Sequence, residues 1–396
     1  MHLSDTIQRL AESATLAMAR KSRELKAQGV DVISLSLGEP DFNTPDSIKE
    51  AGIQAIRDNF SSYPPVNGYA DVREAISKKF KRDNGLDYSP EQVVVSTGAK
   101  QSIANVVMAI VSAGEEVIIP APFWVSYEEI IKLAGGVPVH ISCGLDQDFK
   151  VTPEQLESAI TDKTRMMIFS TPCNPTGSFY TKEELRGLAD VIVKYPELYV
   201  VCDEIYEHIN FQDGHESLAQ FDDVHDQVIT VNGVSKAFAM TGWRIGYIGA
   251  AEWICKACSK IQGQITSGAS GISQKAAGAA VLSDPSITHS MRDEFRARRD
   301  MVLARLQAID GLKTNVPKGA FYIFPDVSAF IGRSVGNRHI GSSADLTTYL
   351  LDEHHLALVQ GEAFGAPGYV RISYAASREE LMDAMDRLER GLNALV

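Results

Sequence analysis

Cysteine is scarce in this sequence: five thiols, Cys143, Cys173, Cys202, Cys255 and Cys258, are scattered through 396 residues. An odd, sparse set is the reverse of a secreted disulfide framework and implies reduced thiols in a cytoplasmic protein. Basic residues are also in short supply, with 38 Lys and Arg against 51 Asp and Glu and a net charge of −13. That balance disfavours phosphate backbones and anionic bilayers, so neither nucleic acid nor a membrane is an expected partner. No apolar run is long enough to span a bilayer. The opening residues, Met1 to Leu10, have neither the basic start nor the apolar stretch of a secretory signal. Internal repeats, low-complexity tracts and Gly/Ser linkers are missing as well.

What is present is globular: 44% hydrophobic and 22% charged residues, in a chain long enough for two or three domains. Helical patterning over 14–29 stops at Gly29 and is followed by an apolar run, Val30 to Leu37, and a loop, Gly38-Glu39-Pro40-Asp41-Phe42. From about residue 90, buried-type strands alternate with helical stretches. The strands are expected at Val93–Val95, Glu116–Ile119, Met166–Phe169, Leu198–Cys202 and Val228–Val231, with helices at Ser102–Val111 and Ser126–Ala134. This predicts an α/β fold with a mainly parallel sheet covered on both faces, whose ligands bind at the carboxyl ends of the strands. Beyond residue 286 a charged helix (Ser290 to Leu306), strand-like runs (Ala320 to Phe324, Tyr369 to Ser373) and a helix from Arg378 suggest a smaller α+β domain. Gly263 to Ser273 reads as a flexible loop.

Four motifs fall at strand ends. Lys236 lies in Val234-Ser235-Lys236-Ala237, after a strand and eight residues before Arg244. A lysine can form an imine with an aldehyde cofactor and move protons as the free amine, although a lone loop lysine is ordinarily just solvated. Asp203 ends an apolar strand and Tyr206 follows it. A carboxylate at such a place needs a cationic partner, and a protonated pyridine nitrogen would serve. Glu204, Glu207 and His208 beside it read as a charged, solvated first helical turn rather than a metal cluster. Asn174 sits in the turn Thr171-Pro172-Cys173-Asn174-Pro175, free to donate its amide. In Ser96-Thr97-Gly98-Ala99-Lys100 a strand passes into a helix whose first amides make a phosphate cup. Cys255 and Cys258 form one C-x-x-C on a helix, without the second pair that a zinc site requires.

Together, and in order over essentially the whole chain, these motifs resemble the fold-type I pyridoxal-phosphate enzymes, class I aminotransferases, most closely the prokaryotic aspartate aminotransferase branch. The resemblance implies pyridoxal 5′-phosphate as cofactor and Lys236 as its lysine. It makes Asp203 the partner of the pyridine nitrogen, and Tyr206 and Asn174 donors to the phenolic oxygen. Trp124 becomes the ring-stacking aromatic. Ala99, Lys100, Ser235 and Arg244 fall around the phosphate, though Gly233 stands where animal relatives carry a phosphate-binding serine. Arg371 and the Gly38 backbone would hold the substrate α-carboxylate, with Trp124 and Asn174 beside it and Lys100 pairing with a distal carboxylate. Tyr63 would reach the phosphate of a neighbouring subunit, which implies a homodimer.

The implied division is an N-terminal arm with part of the small domain (1–45), a large cofactor domain (46–285) and a small C-terminal domain (286–396). The implied reaction is transamination of aspartate with 2-oxoglutarate. The segment Leu10-Ala11-Glu12-Ser13-Ala14-Thr15 lacks the basic residue of relatives that also accept prephenate, which argues against a dual role. The alternatives are an aminotransferase for aromatic or other neutral amino acids or for prephenate, a pyridoxal-phosphate lyase, and an aminotransferase-like regulator. The last would need a DNA-binding domain and a basic surface.

Overall fold

In the computed structural model, which describes residues 2–396, seven strands form the central sheet. Numbered along the chain within this sheet they are β1 (Val93–Ser96), β2 (Glu116–Ala121), β3 (Val137–Ser142), β4 (Thr164–Ser170), β5 (Tyr199–Asp203), β6 (Val228–Gly233) and β7 (Gly246–Gly249). Their spatial order is β1-β7-β6-β5-β4-β2-β3. Only β7 runs antiparallel to its neighbours; the other pairings are parallel.

Side chains alternate across the sheet, as strand geometry requires. Val95, Ile118, Met167, Val200 and Cys202 enter one core. Val94, Val117, Ile119, Met166, Ile168 and Val201 enter a second on the opposite face. Because both faces are buried, these strands read as continuous apolar runs. Flanking helices start at capping boxes, Thr152 with Gln155 and Thr181 with Glu184, which satisfy amide donors that a helix start leaves free.

A third core belongs mostly to the C-terminal part. There Val370–Ser373 pairs antiparallel with Val359–Gln360 and with Tyr322–Ile323, against the helices His289–Gln307, Ser343–His354 and Arg378–Asn393. Ile33 and Leu35 join this core from the beginning of the chain, and Ile33–Ser34 pairs with Leu356–Ala357.

Several expected elements are shorter or different. The first patterned helix is Ala14–Ala27. The apolar run after it supplies only a two-residue strand, because its partner at Leu356–Ala357 is equally short. The loop expected over Gly263 to Ser273 is confined to residues 266–270: one helix runs to Ile265 and the next begins at Gly271. Edge strand β3, exposed at Val137 and Ser142, carries no continuous apolar signal. No helix among the described residues is long and apolar enough to cross a membrane.

Candidate active site

The carboxyl ends of β1, β2, β4, β5 and β6 converge on a cavity of about 420 Å³. Its lining includes Gly38, Ala99, Lys100, Trp124, Asn174, Asp203, Tyr206, Ser235, Lys236, Arg244 and Arg371. The fold therefore gathers every expected site residue except Tyr63, which stands apart and is 95% exposed.

Lys236 follows β6 and projects into this space, its Nζ donating to the Gly38 carbonyl at 2.5 Å. Burial pulls its ammonium down to about 8, with the Glu39 carboxylate opposing the shift. Asp203, at the end of β5, is 5% exposed. Its carboxylate accepts from Tyr127 Oη at 2.7 Å and from the Ile205 amide at 3.3 Å. Burial nevertheless pushes it up to about 6. Two hydrogen bonds do not replace the lost hydration, so this carboxylate calls for a cation in the cavity.

Arg371 is 2% exposed. Nη1 donates to Asn174 Oδ1 at 2.9 Å and Nη2 to the Ser36 carbonyl, while Nε has no partner. The bond to Asn174 settles the orientation of its amide: with Oδ1 held by the guanidinium, Nδ2 is left as a donor. Lys100 lies over the Trp124 ring, 5.0 Å from its centroid, and the same ring meets Tyr127 edge-on at 5.4 Å.

The helix Ala99–Ile110 points its first turn at the cavity, offering unpaired amides and the positive end of its dipole to an anion. Its approach depends on Gly246, where an added Cβ would lie 2.1 Å from the Ala99 amide nitrogen. Gly246→Ala should therefore displace this cup, lowering stability by about 1–3 kcal/mol and weakening cofactor retention; thermal melts with and without pyridoxal phosphate check both. Gly233 is equally confined, with the Ile245 carbonyl 2.9 Å from any Cβ, so the serine of animal relatives has no room on this backbone.

The residues fit pyridoxal phosphate in three respects. A buried amine faces the cavity, a buried carboxylate lacks a full complement of partners, and a helix start with the Arg244 guanidinium beside it suits a phosphate. Arg244 is fixed by its own bonds to Thr241 O at 2.8 Å and Thr97 O at 3.4 Å.

Sequence reasoning missed Tyr127, Tyr322 and Glu39, and the N-terminal residues Ser13, Thr15 and Leu16, all of which line the cavity. Tyr127 had a signal: it lies three residues beyond Trp124, where a helix start turns both to one side. Tyr127→Phe removes a donor to a charged acceptor, and a loss of about 1.5–3 kcal/mol in cofactor affinity is expected by fluorescence titration.

The acids after Asp203 need correction. They lie in turns, not a helix start, and they are not solvated: Glu204 is 0% and Glu207 6% exposed. Glu207 contacts the buried Lys79 ammonium and accepts from Asn84 Nδ2 at 2.8 Å, with His208 Nε2 at 3.1 Å. Glu204 accepts from Ser217 Oγ at 2.6 Å. Lys79 is the counter-ion that makes burial of Glu207 tolerable. Cys255 and Cys258 are buried, as are the other cysteines, and all five are free; burial pushes the Cys255 thiol up to about 12.

The family model for aminotransferase class I and II matches residues 30–388. A bifunctional aspartate aminotransferase and glutamate/aspartate-prephenate aminotransferase of Petunia hybrida is 46% identical over 98% of this chain and 82% of its own. The aspartate aminotransferase of Rhizobium meliloti superposes with a TM-score of 0.97 at 38% identity, covering both chains completely. That of Thermus thermophilus, solved with maleate, gives 0.93 at 39% identity, covering 99% of this chain and 100% of its own. With the cavity and its lysine, acid and arginine in place, the chain belongs to the class I and II aminotransferases, pyridoxal-phosphate-dependent enzymes that exchange amino groups between amino acids and 2-oxo acids.

Proposed function

We propose that this enzyme transfers the amino group of L-aspartate to 2-oxoglutarate, giving oxaloacetate and L-glutamate, as a cytoplasmic homodimer whose subunits share active sites through Tyr63. The observation that carries the substrate reading is a pair of cations lining one cavity, Arg371 and Lys100, which suits a ligand with two carboxylates. The Thermus relative holding maleate, a four-carbon dicarboxylate, supports it. The shared core that joins Ile33 and Leu35 to the C-terminal helices supports a division at 1–45, 46–285 and 286–396.

When bound, pyridoxal phosphate supplies an aldehyde carbon and an electron-poor ring that accepts the electron pair released at substrate Cα. Lys236 holds the cofactor and is the base that takes the Cα proton on Nζ; an amine near 8 is partly free at neutral pH, as a general base requires. Asp203 would hold positive charge on the pyridine nitrogen. Asn174 Nδ2 and Tyr206 Oη would serve as donors to the phenolic oxygen, with Trp124 beside the ring. Ala99, Ser235 and Arg244 would hold the phosphate. Arg371 binds the α-carboxylate in its planar fork with the Gly38 backbone beside it, and Lys100 takes the distal carboxylate.

Prephenate as a second substrate is the alternative, favoured by the name of the Petunia relative; the neutral lining Ser13, Thr15 and Leu16 weighs against it. The test follows the visible absorbance of the holoenzyme. Aspartate alone should remove the cofactor band and 2-oxoglutarate restore it. A band indifferent to aspartate but responsive to neutral amino acids rejects the acidic reading. Product release without any 2-oxo acid identifies a lyase.

A further inference from the structure

Tyr322 stands at the junction of the two halves of the site. Its hydroxyl lies 2.8 Å from Tyr206 Oη, and its ring centroid is 4.6 Å from the Arg371 guanidinium carbon. Gly38 closes over the hydroxyl, since a Cβ there would come within 2.0 Å of Tyr322 Oη. The register explains the placement: Tyr322 is directly opposite Ser373, and Arg371, two residues before Ser373, is its diagonal neighbour on the same side of the pair.

Both phenols are buried, Tyr322 at 1% and Tyr206 at 3% exposure, and burial raises both above the ordinary tyrosine range. Each therefore keeps its proton, and two protons must be distributed around two oxygens. Buried hydroxyls use their hydrogens. If Tyr206 donated to Tyr322, the Tyr322 hydrogen would lie beneath Gly38 and beside a cationic guanidinium, where Tyr322 Oη has no hydrogen-bond partner other than Tyr206. In the reverse arrangement Tyr322 donates to Tyr206 Oη, and the Tyr206 hydrogen points into the cavity.

We propose that Tyr322 is a positioning residue that donates its hydroxyl proton to Tyr206 Oη, aiming and strengthening the Tyr206 phenol as donor to the phenolic oxygen of the cofactor. The inference rests on the cofactor role given to Tyr206 above and not on the choice of substrate. A phenol that accepts one hydrogen bond is a stronger donor in the next. Negative charge on the cofactor oxygen is then better stabilised, which lowers the proton affinity of the neighbouring nitrogen that joins the cofactor to Lys236.

The test is a pH titration of the visible absorbance of the holoenzyme without substrate. Tyr322→Phe keeps the ring against Arg371 and removes only the hydroxyl, so its fold can be verified by its melt. Its absorbance midpoint should rise by about 0.5 pH unit or more. Tyr206→Phe should raise it further, and adding Tyr322→Phe to that variant should change nothing, because the effect runs through Tyr206. An unmoved midpoint in Tyr322→Phe, or an undiminished shift in the Tyr206→Phe background, overturns the proposal. Failure of aspartate to react would leave this titration unaffected, so the two readings fail separately.

Discussion

Lys236→Ala should lower transamination by about 10⁴-fold or more while leaving the fold intact. The side chain supports no core packing that its loss would open: Nζ makes one hydrogen bond, to the Gly38 carbonyl. Its neighbours are the cavity and, at 5.8 and 5.9 Å, the rings of Tyr206 and Phe321. What disappears is the lysine whose charge meets both Asp203 and Arg371 across the cavity. Lys100 lies over Trp124 and cannot take over at the reacting carbon. The protonation of Lys236 adds a second readout. Burial sets its amine at about 8 in place of 10.5, and only the free base attacks an aldehyde. Reconstitution of apoenzyme with pyridoxal phosphate should accelerate as pH rises and level off above about 8. A rate still climbing steeply toward pH 10 would show that the amine is not depressed.

Asp203→Asn should separate activity from stability. In the apoenzyme the folded protein holds Asp203 at about 6, against an ordinary 3.8. A raised carboxylate pKa means that the folded state binds more protons than the unfolded state between these values. Stability therefore falls as pH climbs through that window, and the full cost, about 3 kcal/mol from roughly 1.4 kcal/mol per pKa unit, is present above it. An asparagine, neutral at every pH, escapes that cost. Apo Asp203→Asn should melt above the wild type at pH 7.5, and the difference should vanish near pH 4. Catalysis should move the other way, by about 10²–10³-fold, because the site loses the charge that keeps the pyridine nitrogen protonated. A variant that is less stable at pH 7.5, or as active as wild type, contradicts the assignment.

Much of this site is legible in the sequence, for a physical reason. In a parallel sheet buried on both faces the strands must be apolar runs, and polar residues are confined to the strand ends where loops gather. Asp203, Asn174 and Lys236 each interrupt or follow such a run, so position along the chain already implies position in space. The same logic misread Glu204 and Glu207 as solvated, because acids after a strand usually are; the burial of Glu207 depends on Lys79, more than a hundred residues earlier, and Glu204 is held by Ser217. Edge strand β3 escaped notice because half-exposed strands lack the apolar signal.

By itself the sequence determined the α/β class, the strand ends that carry chemistry, the family and its cofactor, since these follow from local patterning and motif order. Only the tertiary structure decided which groups touch. Arg371 fixes the Asn174 amide, Tyr127 restrains Asp203, Tyr322 meets Tyr206, and Gly246 admits the helix start at Ala99. Each of these contacts joins residues separated by dozens to nearly two hundred positions. Hydrogen-bond direction and the shifts at Lys236 and Asp203 arise from burial among neighbours that chain order does not reveal.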